Sequence, residues 1–83
     1  MNIQYTKAAV KVILAMDFTT KQRIKRGIES IPSGDIKILQ GYKGLYRLRI
    51  GKWRIVFSYT DDKTVLIEKI ASRGEVYKGR LQL

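Results

Sequence analysis

The segment Tyr46-Arg-Leu-Arg-Ile-Gly-Lys-Trp-Arg-Ile-Val-Phe57 alternates apolar and basic residues around Gly51-Lys52. Alternation with a period of two places one set of side chains against a core and the other set on the opposite face of a strand. A Gly-X pair between two such runs is typical of a two-residue hairpin turn. The stretch therefore predicts two antiparallel strands, at residues 45–50 and 53–60.

The predicted turn also fixes which residues face each other across the hairpin. Apolar residues then face apolar residues: Tyr46 with Phe57, Leu48 with Ile55, and Ile50 with Trp53. Arg49 faces Arg54, and Arg47 lies two residues away on the same face. Like charges directly opposite each other cost roughly 0.2–1 kcal/mol. A fold that accepts this arrangement is expected to place a polyanion there.

Basic residues are concentrated around this hairpin. Between Asp35 and Asp61 there is no acidic residue, and the six basic ones are Lys37, Lys43, Arg47, Arg49, Lys52 and Arg54. Over the whole chain 17 basic residues oppose 7 acidic ones, which gives a formal charge of +10 and a pI near 10.2. Such a balance favours encounters with nucleic acid and with a strongly acidic protein.

Length and composition limit the kind of protein. With 83 residues, 45% of them hydrophobic, the chain suits one small globular domain spanning residues 1–83. Cysteine and histidine are both absent. Their absence excludes thiolate chemistry, histidine acid–base catalysis and most metal sites, so no cofactor is expected. No apolar run approaches transmembrane length and the N-terminus lacks a signal-peptide core, so the cytoplasm is the expected location.

Upstream of the hairpin, the pattern predicts a short strand at residues 2–5 and two helices. The first helix spans about 7–16. The segment Asp17-Phe18-Thr19-Thr20 ends it, and one of the two threonines is expected to cap a second helix that runs to about residue 31. The apolar residues at helical spacing in that second helix are Ile24, Ile28 and Ile31.

Downstream, a turn at Asp61-Asp62 leads to a third strand at about 64–70, and residues 74–83 form a short helix or a tail. The apolar stripes of the helices must cover one face of the sheet. The predicted fold class is therefore α+β: a short N-terminal strand, a two-helix hairpin on one face of an antiparallel sheet, and a short C-terminal helix or tail. A turn at Asp61-Asp62 would place Lys69 beside Arg54, but the pattern leaves that register open.

Three motifs carry a resemblance to a known family. Leu39-Gln-Gly41, the stretch from Tyr46 to Phe57, and Arg73-Gly-Glu-Val-Tyr77 together resemble the RelE/ParE superfamily of bacterial type II toxins. The resemblance implies one of two activities. RelE-like members are endoribonucleases that cut mRNA in the ribosomal A site, and ParE-like members poison DNA gyrase. It also implies a cognate acidic antitoxin as partner, in a toxin–antitoxin heterotetramer.

On the RelE-like reading, the resemblance assigns roles to particular residues. Arg49 and Arg54 would clamp the phosphate and the transition state, and Arg73 and Tyr77 match the C-terminal motif. The remaining basic residues that would contact RNA or its phosphates are Lys43, Arg47, Lys52 and Lys69. Arginine suits the clamp because its planar fork makes bidentate contacts with phosphate oxygens.

The chain also departs from the ribonuclease pattern. Arg47 and Arg49 stand where RelE-like enzymes have lysines, and arginine stays protonated at any ordinary pH, so neither can act as a base. Ala71 and Ser72 stand where another basic residue is expected. The general base is therefore open, and its candidates are Tyr77, Lys52, Lys69 and Glu75.

Each assignment has a structural alternative. The three hairpin arginines would equally serve as a docking surface for an acidic antitoxin segment. Arg73 would pair with Glu75 or Glu68, and Tyr77 would be a core aromatic. Three functions follow: an endoribonuclease toxin, which the motifs favour, a non-catalytic toxin such as a gyrase poison, and a non-toxic basic binding module with the same fold.

Overall fold

The strands form one five-stranded sheet. The computed structural model describes residues 1–72 of the chain. Its strands are β1 (Asn2–Tyr5), β2 (Asp35–Ile38), β3 (Tyr46–Ile50), β4 (Trp53–Asp61) and β5 (Thr64–Ser72). They lie in the order β1-β5-β4-β3-β2, so the hairpin strand β4 is at the centre of the sheet. Arg73, Tyr77 and the predicted C-terminal helix or tail at 74–83 lie outside the described residues.

Two helices cover one face of this sheet. They are α1 (Lys7–Leu14) and α2 (Phe18–Glu29). The Thr6 hydroxyl oxygen caps α1 by accepting a hydrogen bond from the Ala9 amide at 3.1 Å. The cap of α2 is Asp17, which accepts from the Thr20 amide at 2.7 Å. The predicted threonine cap was wrong, because the carboxylate three residues before Thr20 already accepts from that amide.

The core lies between these helices and the sheet. The isoleucines that were predicted from helical spacing, Ile24, Ile28 and Ile31, are all buried. Leu48, Ile55 and Phe57 from the hairpin join them, and Tyr46, Ile50 and Trp53 pack around this cluster. The predicted core face of the hairpin is therefore confirmed. Within residues 1–72, no helix has the length and apolarity needed to cross a membrane.

The α+β fold class is confirmed, with one addition to the antiparallel sheet. β1 pairs with β5 in parallel, with Ile3 opposite Val65 and Tyr5 opposite Ile67. Thr6 extends this pairing, since its amide donates to the Ile67 carbonyl at 3.1 Å and its hydroxyl donates to the Glu68 carbonyl at 2.9 Å. The sheet is therefore mixed, and the first strand shields one edge of β5.

The edge strand β2 was not predicted. Its four residues, Asp35-Ile-Lys-Ile38, alternate, but the run is short and begins just after the Pro32-Ser33-Gly34 turn. The free edge of β3 supplies its hydrogen-bonding partner, with Ile36 opposite Leu48 and Ile38 opposite Tyr46. A strand formed mainly by a distant partner leaves little trace in its own sequence.

Two register shifts settle the pairing of β4 with β5. The turn is at Asp62-Lys63, because Asp61 pairs with Thr64. Thr60 is the extra residue on β4, and Glu68 is the extra residue on β5. Arg54 consequently faces Ala71 and Lys69 faces Val56, so the register that would place Lys69 beside Arg54 does not form. The predicted Asp61-Asp62 turn was wrong by one residue.

Candidate active site

Two rows of side chains cross the face of the sheet that the helices leave uncovered. The strand pairing places Asp35, Arg49, Arg54 and Ala71 in one row, and Lys37, Arg47, Val56 and Lys69 in the next. Adjacent strands lie about 4.8 Å apart, so the four strands span roughly 14 Å. We call the five basic residues of these rows, Lys37, Arg47, Arg49, Arg54 and Lys69, the cationic face.

The centre of the cationic face is the pair of Arg49 and Arg54. The two residues are direct partners across the β3–β4 hairpin, as the turn predicted. Arg54 is only 5% exposed, whereas Arg49 is exposed. Burial fixes the position of one guanidinium, and exposure leaves the other free to adjust to a ligand. The pair thus combines a fixed cation with an adaptable one on neighbouring strands.

Arg47 is held by the edge strand β2. Its Nη1 atom lies 3.4 Å from the Asp35 Oδ1 atom and donates to the Asp35 carbonyl at 3.3 Å. The Arg47 side chain is 12% exposed and that of Asp35 is 50% exposed. Asp35 therefore positions Arg47 beside the central pair, while one face of the carboxylate remains in water. A partly exposed ion pair of this kind adds at most about 1 kcal/mol to stability.

Lys69 reaches the cationic face through the irregularity in β5. Ile67 and Ile70 both belong to the core although they are three residues apart. The extra residue allows this, and it leaves Glu68 and Lys69 both on the opposite face. Bulges that re-aim a side chain are frequent next to active sites. Glu68 therefore adds an acidic group to this face, which the sequence analysis did not include among the site residues.

Lys37 is a second residue that sequence analysis left out of the site. It lies opposite Arg47 on β2 and is exposed. The signal that could have found it is the alternation in Asp35-Ile36-Lys37-Ile38, which repeats the pattern of the hairpin. That alternation places Lys37 beside Arg47 only once β2 is known to pair with β3.

Lys52 lies on the other side of the sheet. Its Nζ atom lies 5.9 Å from the centroid of the Trp53 ring, which packs against the core. With Trp53 and Asp17 it lines an open cleft of about 530 Å³ at the end of the helical hairpin. The Thr20 hydrogen bonds hold the pKa of Asp17 below its ordinary value, and Lys52 adds a smaller lowering. The structure thus separates Lys52 from the cationic face.

The remaining predicted site residues are not part of the two rows. Lys43 is exposed in the loop between β2 and β3. Arg73, Glu75 and Tyr77 lie outside the described residues. Of the predicted residues, the structure therefore brings together Arg47, Arg49, Arg54 and Lys69, and it sets Lys43 and Lys52 apart.

Comparison with known proteins gives one family. Residues 3–77 match the family of ParE toxins of type II toxin-antitoxin systems, parDE. Two proteins of Methanocaldococcus jannaschii are similar over nearly the whole chain. The protein assigned as toxin RelE1 is 31% identical over 85 residues, which cover 93% of this chain and 94% of that protein. Toxin RelE3 is 28% identical and covers 93% of this chain and 96% of its own length.

Solved structures share the fold. A chain of the RelB–RelE antitoxin–toxin complex from Methanococcus jannaschii superposes on this chain with a TM-score of 0.75. The two are 25% identical, and the match covers 92% of this chain and 96% of that one. The archaeal RelE–RelB complex of Pyrococcus horikoshii OT3 gives 0.68 at 26% identity, over 88% and 94%. The isolated E. coli RelE toxin gives 0.70 at 22% identity, over 96% and 94%, which supports the fold alone.

Proposed function

This chain belongs to the RelE/ParE superfamily of type II toxin–antitoxin toxins, on its RelE-like side, and we propose that it is an endoribonuclease that cleaves mRNA during translation on the ribosome. The reaction would be attack by a ribose 2′-hydroxyl on the adjacent phosphorus, with departure of the 5′-oxygen. It would need a base for the hydroxyl, an acid for the leaving oxygen and stabilisation of charge on the phosphate.

The observation that carries this proposal is the central pair of the cationic face. Arg49 and Arg54 are cross-strand partners, so two positive charges are held together on the side of the sheet without helices. Juxtaposition of like charges costs roughly 0.2–1 kcal/mol, and that cost is offset when an anion lies between them. Arginine forks contact phosphate oxygens bidentately, so a scissile phosphate between the two would gain contacts as charge develops.

The other residues of this face take roles around that phosphate. Arg47, positioned by Asp35, would hold a neighbouring phosphate, and Lys69 lies at the other end of the same row. Arg73 and Tyr77 match the C-terminal motif of the family and would complete the site. Lys43 and Lys52 lie off the cationic face and would contact RNA away from the scissile phosphate.

The base must come from a group that can lose a proton, which excludes the arginines. Of the candidates Lys52, Lys69, Tyr77 and Glu75, the position of Lys69 on the cationic face supports it over Lys52. Lys69→Arg keeps the charge but removes the titratable amine. Loss of cleavage in that variant would support a proton-transfer role, and full activity would leave Lys69 as a phosphate contact.

The proposed partner is an acidic antitoxin, in a toxin–antitoxin heterotetramer in the cytoplasm, where ribosomes and mRNA are the targets. The RelE chains of Methanococcus jannaschii and Pyrococcus horikoshii were solved as complexes with RelB. A chain with a formal charge of +10 would attract such a partner electrostatically.

The experiment that tests the proposal is induced expression in a bacterial host, with primer-extension mapping of 5′ ends on translated and untranslated mRNAs. New ends confined to translated messages are expected. Arg49→Ala should abolish them, while Lys63→Ala, which removes one positive charge from an exposed turn, should leave them unchanged. New ends that persist in a folded Arg49→Ala variant would contradict the site assignment.

A second candidate function is a non-catalytic toxin that poisons DNA gyrase. It is favoured by Arg47 and Arg49, which replace the lysines of the ribonuclease pattern and cannot act as bases. The family match to ParE toxins is compatible with it. Growth arrest without any new RNA ends, together with gyrase-dependent DNA breaks, would decide for this function.

A further inference from the structure

The open cleft at the end of the helical hairpin lies on the side of the sheet away from the cationic face. Its volume of about 530 Å³ is within the range of pockets that hold small ligands. Its walls come from the end of α1, the beginning of α2 and the turn between β3 and β4. Apolar side chains, two lysines and one carboxylate line it together. A pocket with this mixture of groups can hold an aromatic ring and orient it by polar contacts.

Trp53 gives the cleft an aromatic wall. Its ring packs against the core and is partly exposed, and Val12 and Met16 supply apolar wall beside it. The Lys52 Nζ atom lies 5.9 Å from the centroid of the Trp53 ring. A cation–π contact at an exposed site is weaker than the stacking of a nucleobase on an aromatic side chain. A base can therefore displace the ammonium group from the ring, and Lys52 then becomes available to the phosphate of that nucleotide.

Asp17 decides which base suits the cleft. Its Oδ1 atom accepts from the Thr20 amide at 2.7 Å, and a carboxylate has further lone pairs on both oxygens. The hydrogen bonds from Thr20 hold the pKa of Asp17 below its ordinary value, so at neutral pH this group is ionised and only accepts. Guanine is the base whose Watson–Crick edge carries adjacent donors, N1–H and the N2 amino group. On adenine, cytosine and uracil, every donor of that edge lies beside an acceptor, which a carboxylate repels.

The cations around the cleft favour a base within an RNA strand over a free nucleotide. They come from three different elements: Lys11 from α1, Arg23 from α2 and Lys52 from the hairpin turn. Lys11 and Lys52 line the cleft, and Arg23 packs against the turn, since a Cβ atom at Gly51 would lie 2.8 Å from its Nη2 atom. Cations spread over separate elements suit successive phosphates of a strand. A free nucleotide is typically held instead by backbone amides that converge on its phosphates.

We propose that the cleft binds a guanine base of single-stranded RNA, which stacks on Trp53 and donates through N1–H and the N2 amino group to Asp17. The flanking phosphates lie beside Lys11, Arg23 and Lys52. This site is separate from the cationic face, because Trp53 packs into the core on the helix side of the sheet. The inference goes beyond the proposed cleavage, since the contact involves no reacting atom and can be measured with RNA that cannot be cut.

Trp53 provides a local readout, because it is the only tryptophan of the chain and a base stacked on an indole ring quenches its fluorescence. The probe is a short 2′-O-methyl oligouridine with one central guanine, which lacks the free 2′-hydroxyl that cleavage would need. Matched probes carry adenine, or hypoxanthine without the N2 amino group, in place of the guanine. The guanine probe should quench Trp53 and bind at least about tenfold more tightly than the adenine probe, with the hypoxanthine probe between them.

Asp17→Asn and Asp62→Asn are matched variants, since each removes one negative charge and Asp62 is in the exposed turn between β4 and β5. Asparagine caps helices about as well as aspartate, so Asp17→Asn should stay folded, which urea denaturation checks. Asp17→Asn should reduce the preference for guanine over adenine to less than about twofold, and Asp62→Asn should retain it. Lys11→Gln should weaken both probes by a similar factor, because a phosphate contact carries no information about the base.

Equal Kd values of the guanine and adenine probes for the wild type, or no quenching of Trp53, would overturn the inference. A guanine preference that survives in folded Asp17→Asn would also overturn it. Free GMP that binds as tightly as the oligonucleotide would refute the assignment to an RNA strand. Cleavage is measured separately: a wild type that prefers guanine at Trp53 but produces no new RNA ends would refute the nuclease alone, and one that cuts RNA without this preference would refute the guanine site alone.

Discussion

The two faces of the sheet differ in what their side chains do for the folded state. On the helix side, Ile28, Phe57 and Ile67 are fully buried in a continuous apolar cluster. On the other side, Arg49 and Arg54 are direct partners, and Lys37, Arg47 and Lys69 surround them. The first face stabilises the domain by burial, and the second places like charges where they repel.

We therefore expect substitutions on the helix side to affect stability and substitutions on the cationic face to affect function. The strands β3 and β4 contribute to both faces at once, with residues alternating between them. Neighbouring positions on one strand should therefore give opposite results, which provides matched controls within a few residues of each variant.

The largest expected effect comes from the buried face. Phe57 has no exposed surface, and its ring centroid lies 5.6 Å from those of both Tyr46 and Tyr59. Phe57→Ala should lower the free energy of unfolding by about 3–5 kcal/mol, because it removes a large side chain and leaves a cavity. Urea denaturation measures this. Ser58→Ala, at the next position on the opposite face, should cost less than about 1 kcal/mol, and a comparable loss there would contradict the contrast between faces.

The second effect concerns the RNA cleavage that we propose for the cationic face. Arg49→Ala should lower RNA cleavage about 10²-fold or more, the usual cost of losing one charge-stabilising group in a transition state. The free energy of unfolding should stay unchanged or rise by roughly 0.2–1 kcal/mol, because repulsion with Arg54 is relieved. Cleavage in a cell-free translation reaction and urea denaturation measure the two quantities. A variant that loses both activity and stability would show that Arg49 supports the fold.

A smaller loss of stability is expected at Thr6, which connects helix α1 to strand β5. The Thr6 hydroxyl caps α1 and also donates to the Glu68 carbonyl at 2.9 Å, next to the bulge. Thr6→Val keeps the shape but removes both hydrogen bonds, and should cost about 1–2 kcal/mol of unfolding free energy. Thr19→Val on the exposed side of α2 serves as control and should cost below about 0.5 kcal/mol. Equal losses would mean that the Thr6 bonds contribute nothing specific.

The smallest effect concerns the pH dependence of the unfolding free energy, to which Asp17 on the helix side contributes. Hydrogen bonds from Thr20 lower the pKa of Asp17 below its ordinary value of 3.8. A carboxyl with a lowered pKa in the folded state stabilises that state above pH 3.8, and this contribution is lost as the pH falls through the lower folded value. Asp17→Asn retains a capping oxygen without a titratable proton. Its unfolding free energy should thus fall less than that of the wild type on acidification, and parallel pH curves would refute the assignment.

The sequence was a good guide wherever the determining interactions are local. A two-residue turn brings neighbouring segments together, so the pairing of Arg49 with Arg54 followed from counting residues, and the structure has that pairing. The burial of Ile24 and Ile28 likewise follows from the helical periodicity of α2, and Ile31 is buried as well although it lies beyond the end of that helix. Asp17 shows the limit of this approach, because two adjacent threonines offered an equally good capping signal.

Strand pairings between distant segments could not be predicted from the sequence in the same way. β1 meets β5 across more than sixty intervening residues, and β2 exists because β3 offers it a free edge. The bulge at Glu68 allows Ile67 and Ile70, three positions apart, to point into the same core. The four-residue alternation of β2 does not show which strand it pairs with, and neither the pairing of β1 with β5 nor the bulge at Glu68 has a local sequence signal.

The hairpin, its register, the two helices and the strong positive charge could thus be predicted from the sequence, because each depends on residues close together in the chain. Which of the charges lie side by side became clear from the tertiary structure. It joined Lys37 and Lys69 to the arginines through the pairing of β2 with β3 and of β4 with β5, and it placed Lys52 on the other side of the sheet with Trp53. Side-chain direction in a sheet changes with every residue of register, and this register is set by strands that are far apart in the sequence.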